Sequence, residues 1–203
     1  VSDARYDALY DELETLEAQY PEYRRAHSPT QRMQTKIGQG FATVAHEQPM
    51  LSLEKAHNSE ALQRFIQRCS ERLNQSIQHW SCELKLDGLA INLYYHQGKL
   101  VRGTTRGDGQ RGEDITNNIR TIANIPQHIS NAPSPKDLWI RGEVVIHKVD
   151  FIRLNDSLHR QGLKQFANPR NAAAGSIRQH NPQVSAQRSL RFYAYNIHAE
   201  DGL

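Results

Sequence analysis

Hydrophobic residues recur at helical spacing in the first part of the chain. Residues 2–20 predict a helix that Ser2 caps and Pro21 ends. Its apolar stripe comprises Tyr6, Leu9, Leu13 and Leu16. Residues 22–50 are polar and irregular, which indicates a linker. A second helix is predicted from position 58 or 59 to 74, and the residues expected to be buried on it are Leu62, Phe65, Ile66, Cys69 and Leu73.

Alternating polar and apolar positions then predict strands. They cover residues 80–87, 89–95 and 100–105, and later 139–147 and 190–197. Helices are expected near 114–123, 149–160 and 169–179. On strand 139–147, Arg141 and Glu143 should share one face, because side chains alternate across a strand. Strand runs interrupted by helices predict an α+β fold with antiparallel or mixed sheets.

Composition excludes few classes of protein. The 203 residues suit one domain, or one domain with a small appendage, and the hydrophobic share of 37% is enough for a core. A net charge of +3 permits contact with nucleic acid without establishing it. Cys69 and Cys82 lack metal-site spacing, and neither a membrane-length apolar run nor a signal peptide occurs, so a reducing cytoplasm is expected.

The stretch C-E-L-K-L-D-G (82–88) places Lys85 between two carboxylates, Glu83 and Asp87. Alone, it favours a solvated strand face over covalent chemistry. A nucleophilic lysine must lose its proton, and two carboxylates oppose that loss. A metal ion or arginines would have to supply positive charge, and the candidate arginines are Arg106, Arg141, Arg170 and Arg178.

Three further stretches have a composition that suits phosphate binding. T-R-G-D-G-Q-R-G-E-D (105–114) combines glycines, which permit close approach of a ligand, with arginines, which match phosphate oxygens; it equally fits a surface turn. In R-G-E-V (141–144), Glu143 either pairs with Arg141 or holds a ligand. F-A-N-P-R-N-A-A-A-G-S-I-R (166–178) begins a helix whose small residues also suit simple packing.

Taken together, these motifs resemble those of the bacterial NAD-dependent DNA ligases. The K-x-D-G part of 82–88 is common to covalent nucleotidyltransferases, including ATP-dependent ligases and RNA capping enzymes. The NAD-dependent family is distinguished by D-A-R-Y-D (3–7), H-E-Q-P-M-L-S-L (46–53), T-R-G-D-G-x-x-G-E-D-I-T (105–116), R-G-E-V and F-A-N-P-R-N-A-A-A-G-S-I-R-Q (166–179). The resemblance covers nearly the whole chain.

The resemblance implies a reaction in three steps. Lys85 attacks the α-phosphate of NAD and becomes a lysine–AMP phosphoramidate, with nicotinamide mononucleotide as the leaving group. AMP then passes to the 5′-phosphate at a nick in duplex DNA, and the 3′-hydroxyl displaces AMP. The implied roles are DNA replication and repair in a bacterial cytoplasm, at the nucleoid, by a monomer that does not bind membranes. Mg²⁺ or Mn²⁺ would assist, although no metal ligand is assigned in this chain.

The resemblance also implies roles for individual residues. The catalytic set is Lys85, Asp87, Arg106 and Glu143. The NAD-binding set adds Glu83 toward the adenine, Ser52 and Leu53 near the adenosine, and Tyr195 stacked on the adenine, while Arg106 and Glu143 hold the ribose. Asp3, Tyr6 and Asp7 match the segment that binds the nicotinamide mononucleotide half. Arg170 and Arg178 are expected to bind phosphate or DNA.

The implied fold is that of the ATP-grasp-like nucleotidyltransferases shared by DNA ligases and mRNA capping enzymes. Residues 1–40 would belong to a helical segment that binds nicotinamide mononucleotide, with its linker, and 41–203 to the adenylation domain. The chain reads S-L-E-K at 52–55 where the family usually has S-L-D-N. It lacks the later D-G-x-V-x-K motif, the zinc site and the DNA-binding modules of full-length ligases. We therefore expect a fragment that does not ligate alone.

Two alternatives remain at the level of sequence. An ATP-dependent ligase or capping-type enzyme would share K-x-D-G, but residues 3–7 argue against it. A non-catalytic module that binds nucleotide or nicked DNA belongs to a different class, and truncation makes it a serious candidate for this chain.

Overall fold

The computed structural model describes residues 3–25, 28, 30, 40–129 and 135–199, which form helices and two antiparallel sheets. The helices are α1 (Asp3–Gln19), α2 (Ser59–Leu73), α3 (Thr116–Ile119), α4 (Lys148–Arg160), α5 (Pro169–Ile177) and α6 (Pro182–Ala186), and a short 3-10 helix spans Pro21–Tyr23. The strands are β1 (Thr43–Ala45), β2 (Leu89–His96), β3 (Lys99–Thr105), β4 (Arg111–Glu113), β5 (Asp137–Ile146) and β6 (Leu190–Ala199).

The main sheet has four strands in the order β3-β2-β5-β6, and every neighbouring pair is antiparallel. Strands β2 and β3 form a hairpin through Gln97 and Gly98, both of which have positive φ. Strand β5 lies in the centre although it comes 41 residues after His96, at Asp137. This long connection places Ala90 opposite Glu143 and Asn92 opposite Arg141 on one face of the sheet.

The opposite face of the sheet forms the core with helices α4 and α5. Alternate residues of β2 and β5 point into it, because strand side chains alternate with a period of two. The buried members include Ile91, Leu93, Tyr95, Val144 and Ile146 from the strands, and Leu154, Leu158, Ala172, Ala173 and Ile177 from the helices. Small alanines let α5 approach the sheet closely. The other face of the sheet carries the polar side chains of Arg141 and Glu143.

A second, two-stranded sheet joins β1 to β4, with Val44 opposite Gly112. Sequence patterning did not predict it, because both strands are only three residues long and lie in stretches that were expected to be linker and loop. The prediction of an α+β fold with antiparallel sheets is confirmed, and helices α1, α4 and α5 and strands β2, β3, β5 and β6 lie close to their predicted positions.

The predicted strand at 80–87 is wrong. Residues 75–87 form no helix or strand, and β2 begins only at Leu89. Leu89 pairs with Val144, and β5 ends two residues later at Ile146, where the chain turns into α4. The earlier residues therefore extend beyond their neighbouring strand, and Leu84 is 89% exposed.

The predicted burial of the α2 stripe is also wrong. The helix forms, capped by Asn58, whose side chain accepts a hydrogen bond from the Ala61 N–H at 2.8 Å. None of its residues is buried, and Leu62 and Leu73 remain more than half exposed. On this helix, Phe65 contacts Trp80, and the two ring centroids lie 5.8 Å apart. The amphipathic spacing predicted the helix correctly, but it could not show whether another element packs against the apolar face. Across the described ranges, no helix is long and apolar enough to span a membrane.

Candidate functional site

Glu143 lies at the centre of a polar cluster at the end of the main sheet. Its Oε1 accepts a hydrogen bond from the backbone N–H of Gly88 at 3.1 Å, which links β5 to the start of β2. Partial burial raises the pKa of the Glu143 carboxyl, while the Gly88 N–H and the positive charges of Lys85 and Arg170 oppose this rise. Asp87 adds to the rise. Lys85, Asp87, Glu143 and Arg170, all predicted from the sequence, are therefore close enough to influence one another's charge at one site.

Asp87 and Arg170 are joined directly. The Arg170 guanidinium donates to Asp87 Oδ1 at 2.8 Å, and both side chains are more than half exposed. Arg170 lies in the first turn of α5, which Asn168 caps by accepting a hydrogen bond from the Asn171 N–H at 2.8 Å. The cap fixes where the helix begins and thus sets Arg170 beside the K-x-D-G segment.

Gly88 is a point of close approach between two backbones. A Cβ at this position would lie 2.1 Å from the carbonyl oxygen of Val144, well inside van der Waals contact. Only glycine lets the chain pass so near to β5. This steric requirement explains the glycine that follows Asp87. The close approach of the two backbones also places the segment that carries Lys85 next to Glu143.

Lys85 itself is exposed to solvent, in the extended segment before β2. Its ammonium lies close enough to Glu143 to lower the pKa of that carboxyl. Glu83 is also exposed, and its Oε1 accepts a hydrogen bond from the Ser81 hydroxyl at 3.2 Å. The nucleophile predicted from the sequence therefore stands at the rim of the cluster, open to an incoming ligand.

Tyr195 reaches the same cluster through an irregularity in β6. Arg141 pairs with Asn196 and Gly142 with Ala194, so Tyr195 is the extra residue of a β-bulge. A bulge redirects a side chain relative to the regular alternation. Burial raises the pKa of the Tyr195 hydroxyl, the negative charge of Glu143 adds to the rise, and Arg141 and Arg106 oppose it. The aromatic ring thus lies among the predicted ligand-binding groups.

Arg106 begins the turn that connects β3 to β4. Its backbone N–H donates to the Ala90 carbonyl at 3.0 Å, and its carbonyl accepts from the Gly109 N–H at 3.0 Å. Asp108 stabilises the turn, since its Oδ1 accepts from the backbone N–H groups of Arg111 at 2.7 Å and Gln110 at 2.8 Å. These bonds lower the pKa of the Asp108 carboxyl. The turn is consequently ordered by its own residues.

Other predicted residues lie outside this cluster. Arg178 donates to Glu113 Oε1 at 2.7 Å, an ion pair in which Glu113 is almost fully buried. Ser52 and Leu53 are exposed, with Leu53 at 74%. Asp3, Tyr6 and Asp7 belong to α1, but their side chains lie outside the described part of the chain.

Sequence reasoning did not find three residues on the same face. Tyr193 lies opposite Glu143 across β5 and β6, and its hydroxyl is hydrogen-bonded to His147 Nε2 at 2.9 Å. Asn92 is buried opposite Arg141, and its Oδ1 has no hydrogen-bond partner among the described residues. Alternation within β2 and β6 could have placed Asn92 and Tyr193 on a polar face, but pairing them with Arg141 and Glu143 required the sheet order.

Two models of known protein families match this chain. The model of the NAD-dependent DNA ligase adenylation domain matches residues 38–203, and that of the DNA ligase-like N-terminal NAD⁺-binding domain matches residues 1–34. The chain belongs to the NAD-dependent DNA ligase family. The resemblance inferred from the motifs is thereby confirmed, and the family implies a nucleotidyltransferase-type fold.

Similar curated proteins carry the name DNA ligase. That of Acinetobacter baylyi is 52% identical over 200 residues, covering 97% of this chain and 29% of the relative. That of a Marinomonas species is 50% identical over 202 residues, covering 100% of this chain and 30% of the relative. Acinetobacter baumannii has another, 50% identical over 200 residues. The chain thus spans just under a third of the length of these ligases.

Proposed function

We propose that the chain supplies the adenylation site of an NAD-dependent DNA ligase that seals nicks in duplex DNA. The observation that carries this proposal is the convergence of Lys85, Asp87, Glu143 and Arg170, which are up to 85 residues apart, at one end of the sheet. The cluster places a lysine, which can act as the nucleophile, beside an arginine, which can bind the phosphate that it attacks. The reaction would pass AMP from NAD to Lys85, then to the DNA 5′-phosphate, and release it as the strand is joined.

In the first step, Lys85 would attack the α-phosphate of NAD. The attacking amine must be uncharged. Arg170, two residue positions beyond the α5 cap and paired with Asp87, would bind the phosphate oxygens of NAD. Glu143, tied to Gly88, would orient the segment that carries Lys85. Positioning of this kind is a major part of phosphoryl-transfer catalysis.

The adenosine half of NAD would occupy the polar face of the sheet. Tyr195 would stack on the adenine, Glu83 would contact its edge, and Arg106 and Glu143 would hold the ribose. Ser52 and Leu53 would close the adenosine site. Aromatic stacking on a base is worth about 1–3 kcal/mol in nucleic-acid complexes, so Tyr195 would be a substantial contributor.

The proposed function divides the chain into two parts. Residues 1–40 would belong to the segment that binds the nicotinamide mononucleotide half, through Asp3, Tyr6 and Asp7, and 41–203 to an adenylation domain of the ATP-grasp-like ligase and capping type. Arg170 and Arg178 would contact phosphate or DNA. The protein would act in DNA replication and repair, in the bacterial cytoplasm at the nucleoid.

Asp87 and Glu143 are the carboxylates that would accompany a divalent ion in the proposed site. Among the described residues no cluster of three or more metal-ligating side chains occurs. Mg²⁺ is usually held by one or two carboxylates together with substrate phosphates, and Asp87 and Glu143 would supply such carboxylates. When bound, Mg²⁺ or Mn²⁺ would neutralise phosphate charge. Zinc is expected only in the parts of the family's ligases that lie outside this chain.

Nick sealing by the full-length gene product tests the proposal. The substrate is a nicked duplex with a 5′-phosphate, incubated with Mg²⁺ and either NAD or ATP. We expect joined strands with NAD and none with ATP. Sealing that depends on ATP and is indifferent to NAD would contradict the proposal and favour the ATP-dependent class.

A non-catalytic binding role is the second candidate for the 203 residues on their own. It is favoured by the exposure of Lys85 and by the position of Ser52 and Leu53, which are exposed and lie outside the Glu143 cluster. We expect the isolated chain not to seal nicks. Robust sealing by the isolated chain would exclude the binding role, whereas NAD binding without covalent AMP would support it.

A further inference from the structure

Residues 46–50, H-E-Q-P-M, form a strap that lies against the turn 106–110. The backbone N–H of His46 donates to the Gln110 carbonyl at 2.9 Å, and that of Met50 donates to the Gly109 carbonyl at 2.8 Å. Met50 is only 5% exposed. The strap is therefore fixed to the turn at both of its ends.

The His46 ring makes a further bond to the turn. Its Nε2 lies 3.0 Å from the carbonyl oxygen of Arg106. Because a carbonyl only accepts, this nitrogen carries the proton and donates. The same carbonyl accepts from the Gly109 N–H, and the Arg106 N–H is bound to Ala90. Both backbone polar groups of Arg106 are thus held, and the ring of His46 supplies one of the three bonds.

The strap and the turn are in close contact at Gly109. A Cβ there would lie 2.9 Å from the Met50 carbonyl oxygen, and Gly109 has a φ of +92°. Glycine is required on both counts. From the sequence, the glycines in this run fitted ligand approach and a surface turn equally well; at Gly109 the group that approaches is the Met50 carbonyl of the strap.

The other side of the strap is tied to the main sheet. The Arg141 guanidinium donates to the Gln48 carbonyl at 2.7 Å and to the Pro49 carbonyl at 3.1 Å. The Gln48 amide donates to His198 Nε2 at 2.9 Å. The strap consequently connects the Arg106 turn to β5 and β6, the two strands that carry Glu143 and Tyr195.

We propose that His46 is a positioning residue for Arg106 and thereby sets the affinity of the site for NAD. This inference rests on the proposed function, in which Arg106 holds the ribose. Fixing the backbone of Arg106 restricts the directions that its guanidinium can take before the ligand arrives. Preorganisation of this kind lowers the entropic cost of binding.

Three substitutions at one position separate the hydrogen bond from general packing. In His46→Gln the amide Nε2 stands the same number of bonds from Cα as the histidine Nε2, so it can donate to Arg106. In His46→Asn the amide is one bond too short, and His46→Ala has no donor. All three are made in the full-length gene product, and multiple-turnover nick sealing at saturating nicked DNA gives the KM for NAD and kcat for each.

We expect His46→Asn and His46→Ala to raise the KM for NAD about three- to tenfold, as the loss of one hydrogen bond predicts, with kcat changed less than twofold. His46→Gln should restore the wild-type KM. In an Arg106→Ala background, His46→Ala should have no further effect, because the two residues act in series. An equal effect in both backgrounds, or a KM unchanged in His46→Asn, would overturn the proposal.

Amide hydrogen exchange provides a readout that needs no activity. We expect faster exchange at Gly109, whose N–H shares the Arg106 carbonyl, in His46→Asn than in wild type and His46→Gln. Equal exchange in all three would overturn the positioning role even if the protein proved inactive with NAD. Absence of adenylation in wild type, with the exchange difference present, would instead refute the proposed function alone.

Discussion

Arg170 and Asp87 form an exposed ion pair, which the proposed function places at the adenylation site. Exposed pairs contribute about 0.2–1 kcal/mol. We expect Arg170→Ala to change the free energy of unfolding by no more than about 1 kcal/mol and to slow adenylation about a hundredfold, as the loss of one phosphate-stabilising group predicts. Urea unfolding and single-turnover adenylation measure the two effects.

A matched control for Arg170 exists in α2. Arg68 forms a similarly exposed pair with Glu54 at 2.6 Å, and among the described residues no hydrogen bond or ion pair joins either side chain to Asp87 or Glu143. Arg68→Ala should alter stability by the same small amount and leave adenylation unchanged. Equal loss of adenylation in both variants would show that Arg170 has no special role at the site.

Glu143 gives the site a defined pH dependence. Burial raises the pKa of this carboxyl above its unfolded value, so the folded state favours the protonated form. Its contribution to stability is therefore fully present below the unfolded pKa and is lost as pH rises through the folded pKa. We expect Glu143→Gln, which cannot ionise, to gain stability relative to wild type as pH rises above the ordinary Glu pKa of about 4.3.

Urea unfolding of both proteins across this pH range checks the sign. Gln keeps an oxygen that can accept from the Gly88 N–H, so the fold should be retained while adenylation falls. A difference in stability that shrinks as pH rises would contradict the raised pKa of Glu143.

At the scale of elements, the contact between α5 and β4 depends on a largely buried ion pair. Glu113 is 3% exposed on its side chain and binds Arg178, the C-cap residue of α5. We expect Arg178→Met to cost about 3 kcal/mol of stability, because the buried carboxylate loses its counter-charge. Arg178→Met combined with Glu113→Gln should recover most of this loss.

The same pair of variants tests whether Arg178 also binds phosphate or DNA. Thermal melting should show that the double variant recovers most of the lost stability. If Arg178 binds phosphate or DNA, the double variant should still bind nicked duplex more weakly than wild type. If DNA binding recovers together with stability, the role of Arg178 is confined to holding α5 on β4.

Local patterning accounts for the elements that were predicted correctly and for those that were not. Strands β2, β5 and β6 alternate over eight or more residues, which is long enough for periodicity to be decisive. Residues 80–87 alternate equally well, but a strand also needs a partner, and β5 ends before it can provide one. Strand β4 escaped prediction because its three residues lie within a glycine-rich turn.

At the scale of the whole molecule, the motifs identified the family but not the way in which they meet. Glu143 follows Gly88 by 55 residues, and their contact depends on β2 pairing with β5 rather than on any local signal. Likewise, Tyr195 enters the site through a bulge that alternation alone would not place. The Arg178–Glu113 pair and the His46 strap also arise from tertiary contacts, so sequence assigned both segments to ligand binding or linker.

The central claim is that Lys85 becomes adenylated by NAD, and mapping the modified residue tests it most directly. The full-length gene product is incubated with NAD labelled in its adenylate part, digested and analysed by mass spectrometry. Lys85→Arg serves as the test variant and Lys164→Arg, which alters another exposed lysine, as its control. We predict one acid-labile AMP on the peptide that contains Lys85, its loss in Lys85→Arg and its retention in Lys164→Arg. AMP on another residue, survival of the label in Lys85→Arg, or labelling from ATP but not NAD would contradict the account.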